Sequence, residues 1–386
     1  MFLLGCRHDT IASVVKQDVS RQWSAIGCTL ISLFSSFSLQ ASGIFLPLFA
    51  GELGASKLQL GIMGGIYGVA YLTSSLFFGR QSDMRGRLLF IRLGLGLATL
   101  SYAAQVLAGT PLTLMLVRAL VGFCLGMSDA ALMAYNFEVG GRTGWFTSLG
   151  ALGWLLGSVG AIFIQGYRDL FLLSSIACAG AFVVSWSLKK QENRHFIRPV
   201  MTRMIGRNAN VYLPFLLRNV GGNMVWFIFP LFLVTLGASK AWIAILQCVN
   251  NGMQFIVMMF VDKVRASRLF IVGLFCSTLV FIIYGLATNY FQIIPAQVLL
   301  AVSWSCLYVG ALLLLFKNNE EKATSAGILF STGSFSQATG PFLGGFVAQL
   351  WGYQTLMYLA SGLCLVGLVI GRGYTHSINR SKAHLS

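Results

Sequence analysis

Charge is scarce in this 386-residue chain: 10% of its residues are Asp, Glu, Lys or Arg, and only 11 are acidic. A soluble domain carries about a quarter of its residues as charge, because its exterior must be solvated. The shortage excludes a soluble enzyme, a nucleic-acid-binding module and a disordered tail. No GxxxxGK[ST] phosphate loop is present, so direct drive by ATP has no support. HExxH and GxSxG are missing too, no acidic pair falls within the apolar runs, and the four histidines (His8, His195, His376, His384) lie outside them. An intramembrane enzyme therefore lacks clustered reactive groups. The eight cysteines stand singly, with no CxxC, and read as small apolar filler rather than metal ligands or disulfides. Neither a metal nor a cofactor is expected. No hydrophilic stretch is long enough for a separate soluble domain. The mixed, charged segment 5–21 does not have the pattern of a cleaved signal peptide, so the first apolar helix is expected to act as an uncleaved insertion signal.

What the chain has in abundance is apolar sequence: 56% of residues are hydrophobic and the mean hydropathy is +0.76. A helix crossing a hydrocarbon core of about 30 Å needs about 20 apolar residues. Twelve runs qualify, over 23–49, 58–79, 88–108, 111–137, 143–166, 169–188, 209–235, 241–261, 268–288, 291–316, 323–349 and 352–371. Backbone groups in lipid must be satisfied within each segment, so helices are expected and the fold class is an all-α polytopic membrane protein.

The net charge of +16 is topological. The tails, the even-numbered loops and the helix ends beside those loops hold 22 of the 27 Lys and Arg residues, whereas the odd-numbered loops hold only Lys57, Arg168 and Lys240. Arg118 and Arg218 remain inside predicted helices. The imbalance places both termini and the even loops in the cytoplasm, with the protein multi-pass in the plasma membrane. Its basic residues face lipid headgroups, and no nucleic-acid partner is implied. The longest polar loop, 189–208, separates six helices from six. The expected units are a first bundle over 1–188, a cytoplasmic linker over 189–208, and a second bundle with a short tail over 209–386.

The two halves also echo each other. Pro47-Leu48-Phe49 and Leu53-Gly54-Ala55-Ser56-Lys57 reappear as Pro230-Leu231-Phe232 and Leu236-Gly237-Ala238-Ser239-Lys240, at an offset of 183. Pro111 matches Pro295, Gly126 matches Gly310, Gly157 matches Gly340, and Gly166-Tyr167 matches Gly352-Tyr353, with offsets between 183 and 186. Six helices per repeat is an even number, so both units share one membrane orientation. They are expected to be related by an axis along the membrane normal, as in transporters with two rocking halves.

Between the second and third predicted helices the chain reads Gly79-Arg80-Gln81-Ser82-Asp83-Met84-Arg85-Gly86-Arg87-Leu88. It resembles the major facilitator superfamily signature G-x-x-x-D-[RK]-x-G-R-[RK]. Gly79, Asp83, Gly86 and Arg87 fall on the pattern, while Met84 and Leu88 stand where the family has basic residues. The resemblance covers essentially the whole chain and implies a twelve-helix secondary transporter. It also implies that Asp83 engages the other half as a conformational latch. Asp83 and Arg87 are four apart and can pair if the turn is helical. The two glycines allow a tight turn and close helix approach, and Glu138 is a candidate partner for Arg87. The loop from Asp262 to Arg268 lacks the glycines and reads as a degenerate copy. Arg118-x-x-x-Gly122-x-x-x-Gly126 resembles the family motif whose arginine is linked to proton coupling. Gly150, Gly153, Gly157 and Gly160 resemble the antiporter glycine motif, although its Gly-Pro pair is Gly157-Ser158 here. The fuller version, Gly340-Pro341-x-x-Gly344-Gly345, lies in the eleventh helix. Such spacings serve either generic tight packing or coupling.

Embedded charges are costly, so Arg118, Asp129 and Arg218 are functional candidates. Arg118 and Asp129 share one helix face about 16 Å apart. Each therefore needs water, solute or a partner on another helix. Thr29, Ser32, Ser36, Gln40 and Gly43 line one face of the first helix, and Asn219, Asn223 and Trp226 do the same in the seventh, beside Arg218. Gln247, Asn250, Asn251 and Gln254 form an amide stripe on the eighth helix; Gly64, Tyr67, Gly68 and Tyr71 take those positions on the second. These faces must point to a central cavity or to another helix. The expected cavity, rich in amides and aromatics, suits a neutral polar or anionic solute, with Asp129 the candidate proton carrier. The expected activity is proton-coupled export of a small organic compound by a monomer. Uptake or facilitated diffusion of an organic anion or sugar-like solute is the alternative, and a non-transporting scaffold the remote one.

Overall fold

The structure is a computed structural model describing residues 5–141, 143–190, 201–258, 260–261, 264–319 and 322–383. His195, half of the linker and the Asp262–Lys263 pair lie outside the described residues. The described chain is helical: α1 (Gly5–Gly43), α2 (Leu46–Glu52), α3 (Lys57–Arg85), α4 (Arg87–Ala104), α5 (Pro111–Glu138), α6 (Thr143–Phe163), α7 (Tyr167–Ser185), α8 (Met201–Arg207), α9 (Ala209–Trp226), α10 (Phe229–Thr235), α11 (Lys240–Met258), α12 (Ala266–Leu286), α13 (Ile293–Asn318) and α14 (Lys322–Ala383). The short α8 falls inside the segment expected to be a plain linker.

Among the described residues ten helices are long and apolar enough to cross a membrane, and the bent pair α9–α10 makes an eleventh. The apolar stretch Ser325–Arg372 spans 48 residues. As one straight helix it would measure about 70 Å, more than twice a hydrocarbon core. It breaks at Gly352, whose φ is +82°, so it crosses twice and the total is twelve. The chain is an all-α polytopic membrane protein.

Two helices expected as single rods are broken. The first run splits between α1 and α2 just before Pro47, and the seventh splits between α9 and α10 just before Pro230, with a 52° bend. Proline has no N–H and its ring clashes with the carbonyl four residues back, so a helix stops before it and restarts with it in the first turn. Beyond each short helix the chain turns at Gly54 (φ +90°) and Gly237 (φ +85°), a conformation that a side chain would strain. The repeat therefore reproduces backbone geometry as well as residue identity. At the second helix the structure corrects the sequence reading. α3 runs straight through Gly79, and the chain turns only at Gly86, with φ +96°.

In the first half α1 packs on α6 and α7, and α4 on α5 and α7; in the second, α9 packs on both arms of α14, and α12 on α13 and α14. Glycine permits the closest crossings. A Cβ on Gly157 would lie 2.9 Å from that of Gln40, and one on Gly340 would lie 2.5 Å from that of Asn223. Both pairs are related by the offset of 183, so the α1–α6 and α9–α14 crossings are copies. The glycine stripe of α6 is thus a packing face against α1. The halves meet through α3 with α14 and α6 with α11. Gly61, Gly64, Gly65 and Gly68 of α3 lie against Pro341, Gly345 and Ala338 of α14, and a Cβ on Gly61 would come within 2.7 Å of the Gly345 Cα. Such contacts let dispersion act backbone to backbone, which is how helices associate in lipid.

Candidate functional site

Two embedded arginines sit over aromatic pairs, one in each half. In the first half the Arg118 guanidinium of α5 lies 4.8 Å from the centroid of Tyr67 on α3, and its Nη1 donates to Ser42 Oγ of α1 at 3.3 Å. Tyr67 stacks on Tyr71 at 6.4 Å, and the Tyr71 hydroxyl donates to Asp129 Oδ2 at 3.1 Å. The two charges of α5, too far apart to touch, are thereby joined through a tyrosine pair on another helix. Arg118 is 4% exposed and its Nε has no hydrogen-bond partner among the described residues; Asp129 is half-buried.

In the second half the Arg218 guanidinium of α9 lies 4.9 Å from the ring of Trp304 on α13, with Nε donating to Ser277 Oγ at 3.1 Å. Trp304 stacks on Tyr308 at 5.6 Å, and Tyr308 meets Phe330 at 6.3 Å. Arg218 is 3% exposed, and no Asp or Glu occurs in the sequence from 193 to 261 or from 263 to 319. Among the described residues no carboxylate pairs with it, and an unpaired desolvated cation is expensive. Trp304 and Tyr308 were not singled out from the sequence. Their i, i+4 spacing inside an apolar run, the same as that of Tyr67 and Tyr71, is the signal that could have found them.

Other expected cavity residues are brought together only in part. Gln40 Nε2 donates to Ser158 Oγ at 2.9 Å, and Asn251 Nδ2 of α11 reaches the same oxygen at 3.2 Å. Ser158 is therefore a meeting point of α1, α6 and α11, across the two halves; it stands where the glycine motif has proline. Asn250 turns away, donating to the Gln297 carbonyl of α13 at 3.1 Å. Gln254 is buried and Gln247 half-buried on the same helix. Asn219 and Asn223 donate to carbonyls four residues back in α9 at 2.8 and 2.9 Å, which satisfies the amides locally. Trp226 packs edge-on against Phe229 at 5.6 Å. The face read on α3 divides: its glycines meet α14 of the other half, whereas Tyr67 and Tyr71 turn to Gly122 and Gly126 of α5.

At the even-loop end, Arg87 pairs with Asp83 and with Glu138, its Nη2 2.9 Å from Glu138 Oε1; Nη1 also donates to Ser82 Oγ at 2.9 Å. Gly86 places Arg87 by making the turn, while a Cβ on Gly79 would meet only Ala130 at an ordinary 3.7 Å. A cavity of about 850 Å³ beside this cluster is lined by Arg85, Arg87, Arg92, Tyr135 and Glu138, all of the first half.

Twelve crossings, a duplicated plan and buried charges facing aromatic pairs define a polytopic transporter. Residues 28–317 match the Major Facilitator Superfamily, and the chain belongs to that family. It is 26% identical to the multidrug resistance protein MdtG of Proteus mirabilis, over 92% of this chain and 94% of that one. It is 24% identical to the multi-drug resistance efflux pump PmrA of Streptococcus pneumoniae, over 83% and 88%. Among solved structures, the nucleoside transporter NupG superposes with a TM-score of 0.74 at 10% identity, covering 90% of this chain and 98% of that one. The human organic anion transporter MFSD10 (TETRAN) superposes with a TM-score of 0.68 at 13% identity, covering 91% and 99%. At such identities the structures speak to fold alone.

Proposed function

We propose that the chain is a secondary active transporter that exports a small organic compound in exchange for protons, by alternating access between bundles 1–188 and 209–386 joined by the linker 189–208. The efflux relatives favour the direction, and the bias of Lys and Arg toward the even loops supports a plasma-membrane orientation with both termini cytoplasmic. The latch role of Gly79, Asp83, Gly86, Arg87 and Glu138 belongs to the same reading.

One observation carries the coupling: Asp129 is a half-buried carboxylate within a span, and its described hydrogen bond comes from a neutral phenol. A carboxylate so placed can cross between faces neutral and return charged only if access alternates, and that links proton and solute movement. The test is flux in proteoliposomes under an imposed pH gradient. Asp129→Asn is expected to abolish pH-driven flux and to spare solute counterflow; surviving pH drive sinks the assignment.

A second reading, uptake or facilitated diffusion of an organic anion or sugar-like solute, is favoured on its anionic side by Arg218, which has no carboxylate partner among the described residues. Uptake into cells that collapses with an uncoupler supports it. Lower intracellular accumulation on overexpression supports export.

A further inference from the structure

The most faithfully repeated segment of the sequence is not among the residues expected to line the cavity. Leu53-Gly54-Ala55-Ser56-Lys57 and Leu236-Gly237-Ala238-Ser239-Lys240 each deliver a lysine as the first residue of a helix, α3 or α11. That position is locally unfavourable for a cation, because the helix dipole presents its positive end there. A local rule broken at two equivalent positions calls for compensation elsewhere.

The compensation lies across the molecule. Lys57 Nζ of the first half sits 4.3 Å from the ring centroid of Tyr353 in the second half and donates to the Ala348 carbonyl at 3.4 Å. Lys240 Nζ of the second half sits 3.8 Å from the ring of Tyr167 in the first. The tyrosines are repeat partners too, each following a glycine at a helix start, Gly166-Tyr167 at α7 and Gly352-Tyr353 at the kink of α14. Each half thus offers one lysine and receives one. The arms differ in strength. Glu52 lies 3.8 Å from Lys240 and accepts from the Tyr167 hydroxyl, whereas its repeat counterpart is Thr235, which has no charge.

We infer that this reciprocal pair of lysine–tyrosine contacts is a duplicated clasp that holds the odd-loop face shut, and that both rings must be released for that face to open. All four residues are half-buried at the rim where the halves meet. Separation of the halves at this rim breaks both contacts at once and leaves all four side chains free for water. A cation over an aromatic ring at a partly exposed site contributes enough to change an open population about threefold, so two acting together give about tenfold. The inference rests on the alternating-access reading, but its test reads conformation and needs no solute.

The experiment is hydrogen–deuterium exchange of the detergent-purified full chain, followed in segments 46–60 and 229–243. The double variant Tyr167→Leu/Tyr353→Leu is expected to raise exchange there about tenfold, each single variant about threefold. The double variant Tyr167→Phe/Tyr353→Phe keeps the rings and is expected to stay close to the parent at Tyr353, with a modest rise at Tyr167 from loss of the Glu52 hydrogen bond. Lys57→Gln/Lys240→Gln reads the same clasp from surface lysines should the leucine variant not fold, and Lys240→Gln alone is expected to exceed Lys57→Gln alone. Unchanged exchange in the lysine pair overturns the clasp. So does equal opening by the phenylalanine and leucine pairs, or a rise spread evenly over the even-loop ends.

Discussion

In the first half the stacked pair Tyr67–Tyr71 runs from Arg118 to a carboxylate, Asp129; in the second, Trp304–Tyr308 runs from Arg218 to Phe330. The two stacks are not repeat copies. Their arginines stand on α5 and α9 and their rings on α3 and α13, so each half reached a cation–ring arrangement by a different route. What the halves do hold in common is the backbone: proline breaks in α2 and α10, left-handed glycines at Gly54 and Gly237, and glycine crossings at Gly157 and Gly340. The contrast teaches that duplication preserved what the polypeptide path requires, while charge was free to diverge.

Exchanging the chemistry of the stacks tests that contrast most severely. Asp129→Asn is expected to abolish pH-driven flux, a loss of at least about a hundredfold, the usual scale for removing a proton-transfer group. Arg218→Gln is expected to leave pH drive intact and to lower counterflow of anionic solutes. Proteoliposome flux measures both, and identical profiles for the two variants would erase the distinction. Next in size is the even-loop latch. Asp83→Asn is expected to slow turnover several-fold, about 1 kcal/mol in the barrier, with insertion into the membrane unchanged. Asp262→Asn, in the copy without glycines, is expected to do little. Normal turnover of the first variant would refute the latch.

Smaller effects probe the shared backbone. Gly344 of α14 lies against the Met224 carbonyl of α9, and its repeat counterpart in the first half is Ala161. Gly344→Ala is expected to destabilise the protein by about 1–3 kcal/mol through overpacking, read as a loss of thermal stability in detergent. An alanine tolerated there as well as at Ala161 would mean that the two crossings are equally open. The least effect is expected at the helix caps. Ser56 accepts from the Gln59 N–H and the Gln59 side chain accepts from the Ser56 N–H, a reciprocal cap; Ser239 accepts only a long 3.4 Å bond from the Trp242 N–H. Ser56→Ala is expected to cost about 1 kcal/mol, and Ser239→Ala less.

The twelve crossings were legible because each is a run of apolar residues of bilayer length, and the kink at Gly352 falls on the first residue of the second run read there. The proline breaks could also be read in principle, since Pro47 and Pro230 sit late in their runs; counting apolar residues passed over them. The site was less legible. Tyr67 and Tyr71 share helical spacing with Gly64 and Gly68, yet the tyrosines face α5 and the glycines face α14, because two helices pack on adjacent sectors of α3. Asn250 and Asn251 part company for the same reason, one turning to α13 and the other to Ser158 of α6.

The amino-acid order by itself determined the number of crossings, the duplication, the bias of basic residues and the presence of three charges within apolar runs, since each is a property of a single segment or of a regular spacing. Only the tertiary structure decided which neighbour each polar group meets: that tyrosines join Arg118 to Asp129, that Arg218 faces Trp304, and that Lys57 and Lys240 reach across to one another's halves. Those partners are set by how helices cross, through glycine contacts between segments far apart in the sequence, and local periodicity carries no record of them.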